Sequence, residues 1–317
     1  MSLLNSWLAS PAPDAAIEIA ADRVAAAAIT SRGGTLSVNA HAAEPLPAGV
    51  LTPSLTAGNI HDRAAVAGAL RRVVERLGTR ARRVALVIPD IAVKVSLLRF
   101  EQVPQRRDDL DQLVRWQLRK AAPFPVEGAS VTYSPALPVD AGGREFVVEM
   151  ARQETIREYE AVCEEAGMYA GLVETATLGV LGLFTGPFAI AGDWLLVHVR
   201  PAYTAIAILR GEHLVFYRSR PEDEGTDLHD LVHQTAMYYQ DRLSGHGFSR
   251  VMLAGRGTPA LEEARRSIED RLGAAVETVD PTRIASLTDR ISASPDLVDV
   301  LAPLVGILRR SYNGVHA

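Results

Sequence analysis

The chain has 317 residues, a formal net charge of −5 and a 48% hydrophobic composition, a length that predicts about two domains. The acidic balance excludes a general nucleic-acid binder, which carries a basic excess. Cys163 is the single cysteine, so an internal disulfide is excluded and a reducing compartment is expected.

In chain order, MSLLNSWLASPAP lacks a basic n-region and is too short for a secretory signal. Its Leu3, Leu4, Trp7 and Leu8 suit either a short amphipathic turn or a start that packs locally. Residues 15–40 read as three strands, the last two turning at Arg32-Gly33-Gly34. An amphipathic helix over 61–77 stops at Gly78. A buried strand at 84–88 ends in Pro89-Asp90, and 93–100 alternates as a strand. The helix over 108–120 opens acidic and closes basic, as its dipole prefers, before Pro123-Phe124-Pro125 forces an extended stop. Strands at 130–137 and 144–151, a helix at 155–166 and a strand at 169–173 complete a block that looks inserted; Cys163 reads as a buried thiol, not a nucleophile. The uncharged run 175–192 contains four glycines and Pro187 and is expected to divide into a buried helix, a turn and a strand, not to cross a membrane.

The stretch 194–218 reads as two strands joined at Arg210-Gly211-Glu212. Further elements follow: a helix at 226–243, a strand at 250–254, the loop Gly255-Arg256-Gly257, a helix at 260–272 and a strand at 276–279. The last helix, 297–310, has a small apolar face of Ala302, Val305 and Gly306 suited to close packing. Ile17-Glu18-Ile19-Ala20 lines up with Val197-His198-Val199-Arg200, and Val24 with Thr204, at a constant offset of 180. Each hairpin then reaches an Arg-Gly pair, at Arg32-Gly33 and Arg210-Gly211. An internal duplication, one hairpin founding each half, competes here with chance likeness of short hairpins.

The runs ALVIPDIAVKVSLLRFEQVP and DDLDQLVRWQLRKAAPFPVEGASVTYS, with Trp116 ahead of Pro123-Phe124-Pro125, resemble the PilM family of type IV pilus assembly proteins. LTAGNIHDRAAVAGALRRV, VMLAGRGTPALEE, VETVDPTRI and DLVDVLAPLVGILRR agree with it in order. The resemblance implies an α/β actin-like fold, with two duplicated RNase-H-like halves around a nucleotide cleft and an inserted FtsA-type 1C subdomain. It assigns 14–84, with helix 175–190 and C-terminal helix 297–317, to the first half. The inserted subdomain takes 85–174, and the second half takes 191–296.

Active members carry Asp-x-Gly in each hairpin turn. The aspartate works on Mg²⁺ and the glycine lets backbone amides approach phosphate. By this resemblance the cleft would be formed by Glu18, Ala20, His198, Arg200, Thr204, Gly255 and Gly257. Glu18 and Ala20 replace the first Asp and Gly, Ala25 replaces a lysine, and His198 and Arg200 replace the second pair; Thr204 matches. A degenerate cleft is therefore expected, with no catalytic residue and no resident metal; ATP with Mg²⁺ is the ligand such a cleft would hold, and the substitutions argue against it. His229 and His233, four apart on a helix, read as a solvated face.

The implied function is a cytoplasmic scaffold of the type IV pilus inner-membrane platform. It would bind the N-terminal tail of a PilN-like membrane protein in a groove between the first half and the inserted block, with self-association into an oligomer or ring left open. The alternatives are an ATP-binding ATPase whose nucleotide state gates that docking, and a GspL-like component of a type II secretion platform.

Overall fold

The computed structural model describes residues 12–32, 35–79, 81–138, 143–222, 228–255, 259–288 and 291–316. Leu3, Leu4, Trp7, Leu8, Gly33 and Gly257 lie outside them.

The chain opens with β1 (Ala15–Ile19), β2 (Arg23–Arg32) and β3 (Thr35–Pro45). Along β2, Ala25 and Ala27 enter one core, and Ala26 and Ala28 the opposite one. A strand covered on both faces needs no polar alternation. Helix α1 (Arg63–Leu77) is capped by the Asp62 side chain, which accepts from the Ala65 amide, and ends at Gly78 in the left-handed conformation. β4 (Arg83–Ile88) follows, then β5 (Lys94–Phe100), α2 (Arg107–Leu118), β6 (Ala129–Pro138) and β7 (Arg144–Arg152). Next come α3 (Gln153–Glu165), β8 (Tyr169–Thr175) and α4 (Ala176–Leu181). The second half holds β9 (Asp193–Arg200), β10 (Tyr203–Arg210), β11 (His213–Pro221), α5 (Leu228–Leu243), β12 (Arg250–Gly255), α6 (Pro259–Leu272) and β13 (Val276–Thr278). β14 (Ala285–Leu287) and the long α7 (Pro295–His316) end the fold.

Two sheets share one topology. The first has the order β14-β3-β2-β1-β4-β8 and the second β11-β10-β9-β12-β13, each built from an antiparallel three-strand meander continued by two parallel strands. The registers repeat at the offset seen in the sequence. Glu18 faces Ala25 as His198 faces Ala205, and Ile19 faces Val24 as Val199 faces Thr204. Even the register shift recurs, between Ala28 and Ile29 in one meander and between Ile208 and Leu209 in the other. A shared kink at the same position is beyond what two unrelated hairpins would supply by chance, since a bulge re-aims every side chain after it.

The inner faces of both sheets pack on a common pair of helices, α4 and α7, in one continuous core that includes Ala16, Val87, Leu196, Met252, Leu301 and Val305. The outer face of the first sheet is covered by α1 and α3, and that of the second by α5 and α6. Where α4 crosses α7, Gly182 and Gly306 bring backbone to backbone: a Cβ on Gly306 would lie 2.0 Å from the Gly179 carbonyl oxygen. This is the close packing that the small face of the last helix anticipates.

The structure redraws three boundaries. The expected inserted block includes β4 and β8, yet both hydrogen-bond into the first sheet, and Tyr159, Val162 and Cys163 of α3 pack in its outer core. The separate unit is the smaller β5-α2-β6-β7, a three-stranded sheet of order β5-β7-β6 with its own core against α2. The reason is burial: Val84 to Ile88 are covered on both faces and demand a central position. Second, β14, placed by sequence in the second half, pairs with β3 of the first. Third, 175–192 contains no strand; α4 continues into two short 3₁₀ turns before β9.

Candidate functional site

The duplicated turns face each other across the shared core. Glu18, at the end of β1, and Arg200, at the end of β9, meet directly: the Arg200 Nη2 donates to Glu18 Oε1 at 2.6 Å. Arg23, entering β2, donates from Nε and Nη2 to Glu18 Oε2 at 3.4 and 3.3 Å. From α7, Asp299 closes the figure, with Oδ2 2.6 Å from Arg23 Nη1 and Oδ1 3.5 Å from Arg200 Nη1. Each carboxylate thus meets both guanidiniums, and all four side chains are at most 9% exposed. Burial works against charge on Arg200, but Glu18 and Asp299 outweigh it and drive its pKa up. Burial also opposes charge on Asp299, yet Arg200 and Arg23 hold its carboxyl below the ordinary aspartate range.

Beside this cycle runs a chain of hydrogen bonds centred on Asp90. Asp90, just after β4 and fully buried, accepts from the Thr177 amide at 3.1 Å, the Thr177 hydroxyl at 2.9 Å and the Tyr217 hydroxyl at 2.6 Å. Tyr203 is buried beside it, and burial first, with the Asp90 charge second, raises the pKa of its hydroxyl. The Thr177 Oγ1 also lies 2.9 Å from His198 Nδ1. Because the single hydroxyl proton of Thr177 goes to Asp90, the Nδ1 of His198 must carry the proton between them. Burial first, and the positive Arg200 second, push the His198 pKa down to about 4, so the imidazole is neutral near pH 7.

The sequence-derived residues therefore separate. Glu18 and Arg200 come together, while His198 turns to Thr177 instead. Ala20 is buried at the first turn, where its amide donates to the Arg23 carbonyl. Ala25 is core. Thr204 lines a separate cavity of about 430 Å³ with Val199, Leu231 and Glu263. Gly255 has φ +151°, and a Cβ there would meet the Val199 carbonyl oxygen at 2.7 Å; strand approach alone requires the glycine. Among the described residues no group of His, Cys, Asp and Glu is disposed to hold a metal. Burial raises the Cys163 pKa to about 12, consistent with an inert thiol.

Sequence reasoning missed Arg23, Asp90, Thr177, Tyr203, Tyr217 and Asp299. One signal was available: Asp299 interrupts the apolar run DLVDVLAPLVGIL, where an acid facing a core needs a cation.

A second concavity of about 710 Å³ opens where the two halves and the inserted unit meet, between the loop 53–56, Ile91 and 93–95, and the outer edge of β11 from Tyr217 to Pro221. The loop is held from α3 and β7. Glu158 accepts from the Asn59 amide at 2.8 Å, the Tyr159 hydroxyl donates to Asn59 Oδ1 at 3.1 Å, and Arg152 donates to the Thr56 carbonyl at 2.9 Å. The Tyr217 ring lines this groove while its hydroxyl reaches Asp90 in the buried chain.

Two sheets of one topology, a repeated turn at the centre of each and a shared helix pair between them define an actin-like protein. Within that class, residues 16–222 match the family model described as type IV pilus assembly protein PilM, and the chain belongs to this family. Among solved structures, the PilM-PilN type IV pilus biogenesis complex is similar at a TM-score of 0.79 and 18% identity, covering 96% of this chain and 99% of that one. A Bacteroides thetaiotaomicron protein of actin-like ATPase fold and unknown function matches at 0.50 and 8% identity, with 92% and 96% covered. The ethanolamine utilization protein EutJ from Carboxydothermus hydrogenoformans matches at 0.50 and 12%, with 95% and 90% covered. No curated protein matches by sequence. No helix among the described residues is long and apolar enough to cross a membrane.

Proposed function

We propose that the chain is a non-catalytic scaffold of a type IV pilus assembly platform, working at the cytoplasmic face of the inner membrane and tethered there by the N-terminal tail of a PilN-like membrane protein. Family membership supports the pathway. The observation that carries the non-catalytic reading is the engagement of Glu18: both its oxygens already meet guanidiniums, at 2.6 and 3.3 Å. A Mg²⁺ ion requires free hard oxygens, and here the acid that would approach it is neutralised by Arg200, the residue standing where a phosphate-contacting glycine is expected. His198 is turned by its Nδ1 to Thr177, and an imidazole nitrogen is a poor ligand for a hard Mg²⁺ ion. The donor set does not fit Mg-ATP, and no hydrolytic step is derived from it.

The groove at the junction of the loop 53–56, 91–95 and β11 is the docking place we assign to the tail. Its walls include the outer edge of β11 and the half-buried start of the edge strand β5, which suit backbone pairing by an extended segment. A peptide of the tail of a PilN-like protein from the same genome is expected to bind the full chain and to slow hydrogen exchange at 53–56, 91–95 and 217–221. Absence of both binding and protection anywhere in 84–174 or along this groove removes the reading. Millimolar Mg-ATP is expected to leave Tm unchanged; a rise in Tm, which any ligand selective for the folded state produces, would replace the scaffold by a nucleotide-gated protein.

A further inference from the structure

The four charged residues at the cleft form more than a set of surface ion pairs. Among the described ion pairs, those of Arg200 join β9 of the second half to the first half and to α7. The cycle is complete, every anion meeting every cation, and its net charge is zero. It sits in a part of the protein where an unmatched charge is expensive. The hydrogen bonds alongside it also span the halves, from Thr177 to His198 and from Asp90 to Tyr217.

Hinged two-lobed proteins ordinarily close around a ligand that bridges the lobes. Here the bridging groups belong to the chain. Arg200 reaches from one lobe and is received by Glu18 and Asp299 on the other, while Arg23 meets both of those acids and offsets their mutual repulsion. We propose that the Glu18–Arg23–Asp299–Arg200 cycle is a releasable latch that holds the two halves closed with no ligand in the cleft.

Releasability follows from the chemistry of the parts. Charges taken out of water surrender their hydration, and the pairing gained in return roughly cancels that loss. An open form, in which water solvates all four groups, therefore lies close in free energy to the closed one. An apolar plug of the same size would have no such open alternative. The Arg200 Nη1, buried with no hydrogen-bond acceptor, marks the weakest corner, opposite Asp299. This inference rests on the reading of the cleft as lacking nucleotide; its test uses neither nucleotide nor tail peptide, so the two can fail separately.

The test is a distance measurement across the cleft in the full chain. Spin labels go on cysteines introduced at the exposed Arg71 of α1 and Asp241 of α5; the native Cys163 is buried and does not compete for label. The parent is expected to give one narrow closed distribution. Arg200→Ala and Asp299→Ala each leave a buried charge unmatched, and each is expected to move a substantial fraction to longer distance. The double variant Glu18→Met with Arg200→Met leaves Arg23 and Asp299 paired, removes the hydration incentive to open, and is expected to return to the single closed population. Opposite responses of single and double variants support the latch. A parent-like distribution in both folded single variants overturns it, as does a double variant as open as the singles. Should Arg200→Ala fail to fold by circular dichroism, Arg200→Lys serves in its place. A lysine reaches one carboxylate at a time, so partial opening supports the latch and an unchanged distribution overturns it.

Discussion

Replacing Gly306 by alanine tests whether the two halves are truly built around a backbone-to-backbone helix crossing. The added Cβ would stand 2.0 Å from the Gly179 carbonyl oxygen, 3.0 Å from its carbonyl carbon and 3.2 Å from the Leu183 amide nitrogen. All three are backbone atoms, so no side chain can swing aside, and α7 or α4 must withdraw by roughly 1 Å to restore ordinary contact. A gap of that size forfeits a quarter to a half of the dispersion energy at each contact it opens. The side chains affected, Leu301, Leu304, Val305, Ile307 and Leu308, are all fully buried between the sheets. Overpacking of this kind costs about 1–3 kcal/mol and at times more, set against the ~1 kcal/mol by which alanine exceeds glycine as a helix former. A net loss of up to about 2 kcal/mol follows, or roughly a 3 °C fall in Tm for a chain of this size. Gly68 in α1 is the control. A Cβ there meets nothing nearer than the flexible Arg72 Nη1 at 3.6 Å, so Gly68→Ala is expected to raise stability by about 0.5–1 kcal/mol. Urea midpoints of the two variants measured side by side decide the matter. If Gly306→Ala is as stable as the parent, the crossing is looser than described and the reasoning fails.

Two further outcomes follow from the site. His198 has its pKa depressed from 6.5 to about 4, so below pH 6.5 the unfolded chain takes up a proton that the folded one refuses. Stability is therefore complete above pH 6.5 and falls by about 3 kcal/mol as pH drops toward 4; unfolding midpoints against pH should show this slope in the parent and lose most of it in His198→Asn. Tyr159→Phe leaves the buried Asn59 Oδ1 without its donor, at a cost of about 1–3 kcal/mol. Hydrogen exchange should quicken locally at 54–60, and unchanged exchange there would mean that Glu158 and Arg152 hold the groove loop without Tyr159.

Much of the architecture was legible because it rests on local or repeating signals. The three strands of the first meander announce themselves through apolar runs broken at an Arg-Gly turn, whereas the second reads as two strands and proves to be three, since the turn at 201–202 is too short to interrupt its apolar run. The offset of 180 pointed to a duplication that the matching registers then established. The close-packed face of Ala302, Val305 and Gly306 was readable as a pattern of small residues at helical spacing. Membership of β4, β8 and β14 in the first sheet was not, since a strand of five or six apolar residues carries no mark of its neighbour. Only hydrogen bonds between distant segments, such as Ala285 with Leu36, assign it.

At the cleft the division is sharper. The sequence alone determined which side chains stand at the two turns, Glu18 and Ala20 in one and His198 and Arg200 in the other, because these are corresponding positions of a repeated motif. What became of these side chains depended on residues far away in the chain: Glu18 receives Arg200 from 182 positions on, and Asp299 from the last helix meets Arg200 and Arg23. Charge pairing in a buried site is a property of three-dimensional proximity and of the water excluded there, and neither is written in the order of residues. Thus the side chains that stand at the two turns are a fact of sequence, while their closure into an ion cycle is a fact of tertiary structure.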